Sequence, residues 1–76
     1  MTQVKIKLMT INDVKEFVTT CSFCPYDVDL ISGRYTVDAK SLMGIFSIVP
    51  SDNLTCTIYS DNCDEFIEQI KKFIVE

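Results

Sequence analysis

Residues 27–48 read DVDLISGRYTVDAKSLMGIFSI, and this stretch decides the architecture. Tyr26, Val28 and Leu30 alternate with Asp27 and Asp29, the period of two expected of a strand with one wet face. In ISGR, Gly33 is free to take a positive φ, so the chain turns tightly there. Tyr35 and Val37 then continue as a second, antiparallel strand. Beyond them the period changes. A short helix is predicted from about Ser41 to Ile48, stopped by Pro50. Leu42, Met43, Ile45, Phe46 and Ile48 crowd into seven positions of it. Adjacent Leu42 and Met43 cannot both sit at the centre of one helical stripe. The spacing sets Leu42, Met43 and Phe46 on one side and points Ile45, with Ile48 or Val49, at the sheet.

Working outward, Val4, Ile6 and Leu8 alternate with Lys5 and Lys7 in another half-buried strand. Thr10 is a good helix N-cap, and Asp13 three residues on completes a capping-box-like turn. Ile11, Val14, Phe17, Val18 and Cys21 follow at three- and four-residue spacing, so this helix is expected to run to about Cys21, before Pro25. After Pro50, Ser51–Asn53 reads as a loop. Leu54, Cys56 and Ile58 form a fourth strand. Asp61 or Asn62 then caps a last helix, with Cys63, Phe66, Ile67, Ile70, Phe73 and Ile74 on one face and Glu65, Glu68, Lys71 and Lys72 on the other. The order is β-α-β-β-α-β-α. An α+β sandwich follows: a four-stranded antiparallel sheet covered on one face by three helices.

A chain of 76 residues is read as one domain, residues 1–76. At 47% hydrophobic residues it has enough apolar material for a core. No run of about 20 apolar residues is present, so no membrane span is expected. The opening MTQVKIKLMT alternates lysine with apolar residues, unlike a secretion signal, which points to the cytoplasm. Net charge is −4, and the seven Lys and Arg are scattered, which argues against nucleic-acid binding. Histidine is absent altogether. That removes the commonest general base and the commonest metal ligand.

Four cysteines, including the C-x-x-C of Cys21 and Cys24, raise a metal or redox reading. Position argues otherwise. Cys21 falls at the C-terminal end of its helix, where the dipole disfavours a thiolate. Cys56 shares the inward phase of Leu54 and Ile58, and Cys63 stands on the core face of the last helix. These three read as small core residues. A zinc site built from Cys21, Cys24, Cys56 and Cys63 lacks close spacing in its second pair. Neither a metal nor a cofactor is expected.

The segment Val37–Ile48, with KSLMG at 40–44, resembles the phosphocarrier HPr family of the bacterial sugar phosphotransferase system. That family carries V-(N/D)-(A/L)-K-S-(I/L)-M-G-(V/L)-M-S-L at this place, after a strand, a turn and a strand. The resemblance covers about Phe17 to the C-terminus and implies the family's open-faced sandwich. It fails in the first quarter. The family carries phosphate on the histidine of G-(L/I)-H-A-R-P, between the first strand and first helix. Here the chain reads KLMTINDVKEF, with Thr10 near the missing histidine and a loop shortened by several residues.

Phosphotransfer through such a loop needs an imidazole nucleophile, with N–H groups and an arginine to hold the phosphoryl oxygens. Thr10 cannot form a labile phosphoramidate, and no cation is placed beside Asp13. No catalytic residue is therefore expected, and the protein is not expected to be an enzyme. The resemblance further implies a regulatory phosphorylation site at Ser41, which as an N-cap also has a structural role. It implies a partner-docking surface at Leu42, Met43 and Phe46, with Lys40 adding charge beside them. The expected partners are proteins of the phosphotransferase system or its regulation, including a serine kinase, for a monomer or weak dimer. Two alternatives stay open: a phosphocarrier with a non-histidine acceptor, and a small binding or redox domain of unrelated role on the same fold.

Overall fold

The computed structural model describes residues 1–75. Its elements are β1 (Thr2–Leu8), α1 (Ile11–Ser22), β2 (Val28–Ser32), β3 (Tyr35–Asp38), α2 (Leu42–Phe46), β4 (Ser51–Ile58) and α3 (Asp64–Gln69), followed by a 3₁₀ turn at Lys71–Phe73. The strands form one antiparallel sheet in the order β1-β4-β2-β3. The expected α+β sandwich is what the chain adopts.

Alternation along each strand explains why one face is dry. Ile6 stands opposite Leu54, Val4 opposite Cys56, and Leu30 opposite both Cys56 and Val37. Ile6, Leu30, Leu54, Cys56 and Ile58 are fully buried beneath the helices, where Val14, Phe17, Ile45, Phe66, Ile70 and Phe73 meet them. Phe17 and Phe73 pack edge to face, centroids 5.7 Å apart. On the open face the same register lines up polar partners. Lys5 Nζ donates to Thr55 Oγ1 at 2.9 Å, and Gln3 Nε2 donates to Thr57 Oγ1 at 3.2 Å.

Gly33 takes φ 59° in the β2–β3 turn, the conformation its position demanded. Five expectations are corrected. Ser51–Asn53 is not a loop but the start of β4: Ser51 stands opposite Leu8, and the register slips by one residue between Ile6 and Leu8. Pairing with the end of β1 overrides the turn-forming character of these residues. Tyr26 lies before β2 and packs its ring on Phe66. Neither Asp61 nor Asn62 caps α3; Cys63 holds that position without a side-chain cap bond. The last helix is also broken. After Gln69 the chain tightens into the 3₁₀ turn, and Ile74 is extended, bridging Ile6, while Val75 N–H donates to the Lys5 carbonyl at 3.0 Å. Ile74 and Val75 thus cover part of the free edge of β1, which otherwise presents unpaired backbone groups.

The fifth correction concerns Ile11. It was expected on the core face of α1 but is 63% exposed. At 3.6 residues per turn it lies about 80° around the helix from Cys21, on the margin of the stripe. Val14, Phe17 and Cys21 are buried as expected.

Candidate functional site

α1 and α2 come together beside the β1–α1 loop, and there the chain leaves apolar surface uncovered. A cleft of about 150 Å³ is lined by Met9, Thr10, Ile11, Val14, Phe46, Val49 and Pro50. None of these side chains is charged. Met9, Ile11 and Phe46, which line it, are exposed, and so are Leu42 and Met43 earlier in α2, Met43 by 80%. The hydrophobic surface is therefore built from two segments that are far apart in sequence.

Two caps fix those segments. In the β1–α1 loop, the Asp13 backbone N–H donates to Thr10 Oγ1 at 3.0 Å. Asp13 Oδ2 accepts from the backbone N–H of Thr10 at 3.3 Å and of Met9 at 3.1 Å. This is the expected capping box. Both polar side chains of the loop are thereby engaged with backbone. At α2, Ser41 is the N-cap, and its Oγ accepts from Gly44 N–H at 3.2 Å. Gly44 is needed for proximity: a Cβ there would stand 3.2 Å from Ser41 Oγ and 3.4 Å from Val37 Cβ.

The residues singled out from sequence take different places. Leu42, Met43 and Phe46 face solvent, whereas Ile45 is fully buried and Ile48 half-buried. Ser41 is half-buried at the start of α2. Lys40 has a structural partner: its Nζ donates to the Cys24 carbonyl at 3.2 Å, tying the β3–α2 turn to the end of α1. Met9 and Ile11 join the exposed surface without having been singled out for it. Ile11's marginal place on the helical stripe was the available signal. Met9, between a strand end and a helix cap, carried none.

The cysteines occupy the core. Cys21, Cys56 and Cys63 are buried and Cys24 is half-buried, all as free thiols. Burial raises the Cys21 thiol far above its ordinary range, with Cys56 and Cys24 adding to it. Burial likewise pushes Cys56 up to about 12, reinforced by Cys24 and Cys63. Such thiols are poor nucleophiles. Among the described residues, no group of three or more His, Cys, Asp or Glu is placed to hold a metal ion. No helix among them is long and apolar enough to cross a membrane.

An open antiparallel sheet with helices on one side, whose second helix is the KSLMG segment beside the β1–α1 loop, is the HPr architecture. The chain has an HPr-like fold. It superposes on HPr-C-His from Thermoanaerobacter tengcongensis with a TM-score of 0.79 and 25% identity, covering 95% of this chain and 89% of that one. It superposes on the phosphocarrier protein HPr of Bacillus anthracis str. Ames with a TM-score of 0.74 and 23% identity, covering 97% and 94%. No family model and no curated protein matches the sequence.

Proposed function

We propose that this protein is a non-catalytic docking module of the phosphotransferase system, which binds protein partners through Leu42, Met43 and Phe46 and carries no phosphate on its β1–α1 loop. One observation carries the reading. At the place where the HPr resemblance calls for a phosphorylated histidine, the cleft is apolar and uncharged and is bordered by exposed Met9, Ile11 and Phe46. Such a lining offers no imidazole nucleophile and no cation for a phosphoryl group. It does offer adaptable, methionine-containing apolar surface, which suits protein contact. Lys40 precedes this segment in sequence, its Nζ donating to the Cys24 carbonyl.

The test has two arms. Incubated with enzyme I and phosphoenolpyruvate, the protein should acquire no acid-labile phosphate; label on it would overturn the reading. Titrated with a purified phosphotransferase-system protein that binds HPr, the wild type should bind. Met43→Glu should weaken that binding at least tenfold while leaving the fold intact, because Met43 makes little contact with the rest of the chain. Equal binding by both proteins, or none by either, would sink the docking role.

Ser41 is the regulatory position in this reading, because its half-buried hydroxyl stands one residue before Leu42. A phosphate there adds nearly two negative charges at the edge of an apolar surface and costs docking affinity. Incubation with ATP and an HPr-type serine kinase should modify the wild type and not Ser41→Ala. If both stay unmodified, the switch is absent.

A further inference from the structure

At the opposite end of α1, about 20 Å from Thr10 at 1.5 Å per residue, the chain builds a second cleft. It measures about 240 Å³ and is lined by Phe23, Cys24, Pro25, Tyr26, Asn62, Glu65, Phe66 and Gln69. Phe23 is 83% exposed. Tyr26 and Phe66 meet edge to face, centroids 6.0 Å apart at 89°. The loop carrying Phe23 and Tyr26 is held in place by its own bonds. Phe23 N–H donates to the Thr20 carbonyl at 3.2 Å, Cys24 N–H to the Cys21 carbonyl at 3.1 Å, and Lys40 Nζ to the Cys24 carbonyl at 3.2 Å. Cys24 Sγ lies 3.2 Å from the Tyr26 carbonyl. The cleft is thus preformed.

Its chemistry is one-sided. Aromatic rings supply the apolar surface, and the polar lining is the Glu65 carboxylate with the amides of Asn62 and Gln69, all three residues exposed. No lining residue is cationic; Lys40, which reaches the Cys24 carbonyl, is not among them. Asp64 and Glu65 both stand in the first turn of α3, and the chain carries a net charge of −4. Aromatic faces beside a carboxylate attract an organic cation. Arginine suits this better than lysine, because its planar guanidinium stacks on a ring while its N–H fork meets a carboxylate. A ligand pocket for a whole small molecule is commonly about 300–1,000 Å³, so this smaller cleft matches a single side chain.

We propose that this cleft receives an arginine side chain from a basic segment of a partner protein, stacked on the aromatic residues and paired with Glu65. This surface is separate from the Met9–Phe46 surface and does not depend on it.

The experiment titrates the isotope-labelled protein with doubly blocked arginine, acetyl-arginine methylamide, and follows backbone amide shifts. Saturable shifts are expected at the amides of Phe23, Cys24 and Tyr26 and of Glu65–Gln69. Blocked citrulline, which keeps the shape without the charge, should bind more weakly. Phe23→Ala should weaken arginine binding about two- to fivefold. Glu65→Gln should weaken it by about the same factor. Both positions are exposed, so spectra elsewhere should not change. The proposal is overturned if blocked arginine gives no saturable shifts or if citrulline or blocked lysine binds as well. It is overturned equally if shifts gather instead around Asp27, Asp29 and Asp38 on the open sheet face, or if agmatine, a free amine without a peptide backbone, binds tighter than blocked arginine.

Discussion

Thr10 and Asp13 satisfy each other's backbone across the first turn of α1: Thr10 Oγ1 accepts the Asp13 N–H, and Asp13 Oδ2 accepts the Thr10 N–H. The reciprocity makes this pair a structural device in a loop where the HPr resemblance would place chemistry. Thr10→Ala should therefore cost stability, about 1 kcal/mol in urea denaturation. Thr10→Ser, which keeps the accepting oxygen, should cost only a few tenths of a kcal/mol by the same scale. A Thr10→Ala protein as stable as wild type would show that the cap contributes nothing.

α2 has two faces of unequal consequence. Met43 is 80% exposed, so Met43→Ala should change stability by no more than about 0.5 kcal/mol. Ile45 is fully buried two residues on, and Ile45→Val should cost about 0.5–1.5 kcal/mol through loss of one methylene. Chemical denaturation of the two variants side by side checks the assignment. A Met43→Ala cost matching that of Ile45→Val would mean that Met43 is packed rather than free.

The fold was legible because strand and helix periods differ and each was written clearly. Val28 and Leu30, Leu54 and Ile58, and Val14 and Phe17 declare their inward faces by spacing alone. What no local pattern shows depends on tertiary partners. Ser51–Asn53 has turn composition, and only β1 alongside it makes it a strand. Ile74 continues the spacing of the last helix, yet the free edge of β1 draws it into extended backbone. The site divides in the same way. The separation of Leu42, Met43 and Phe46 from Ile45 follows from helical geometry, whereas the contribution of Met9 and Ile11 depends on α1 and α2 packing together. The cleft between Phe23 and Glu65 joins residues more than half the chain apart, and no local pattern announces it.

Ser41 and Gly44 are expected to be energetically coupled. Ser41→Ala removes the α2 cap and should cost about 1 kcal/mol. In Gly44→Ala the new Cβ meets Ser41 Oγ at 3.2 Å and Val37 Cβ at 3.4 Å, which offsets the gain of about 0.8–1 kcal/mol that alanine brings to a helix interior. Part of that crowding vanishes when the serine oxygen is gone. In a double-mutant cycle, Gly44→Ala should be less costly in the Ser41→Ala background than in wild type. Strict additivity would show that the serine oxygen is not what crowds this position.

The buried thiols make stability fall at alkaline pH. Burial pushes Cys56 from its ordinary value of 9.0 up to about 12, and Cys21 rises for the same reason. In the unfolded chain both thiols lose their protons near pH 9; in the folded protein they keep them. Above pH 9 the folded state therefore holds more protons than the unfolded one, and rising pH favours unfolding. The stabilisation is fully present below pH 9 and is lost as the pH climbs toward 12, with each thiol lowering the unfolding free energy by about 1.4 kcal/mol per pH unit in that window. Denaturation midpoints measured from pH 7 upward should stay level with respect to these groups and then decline. Cys56→Ala should flatten the decline by one thiol's share. Over the same range a disulfide reagent should modify half-buried Cys24 first, leaving Cys21 and Cys56 until the protein opens. An unchanged slope in Cys56→Ala, or modification of Cys56 ahead of Cys24, would show that burial does not control these thiols.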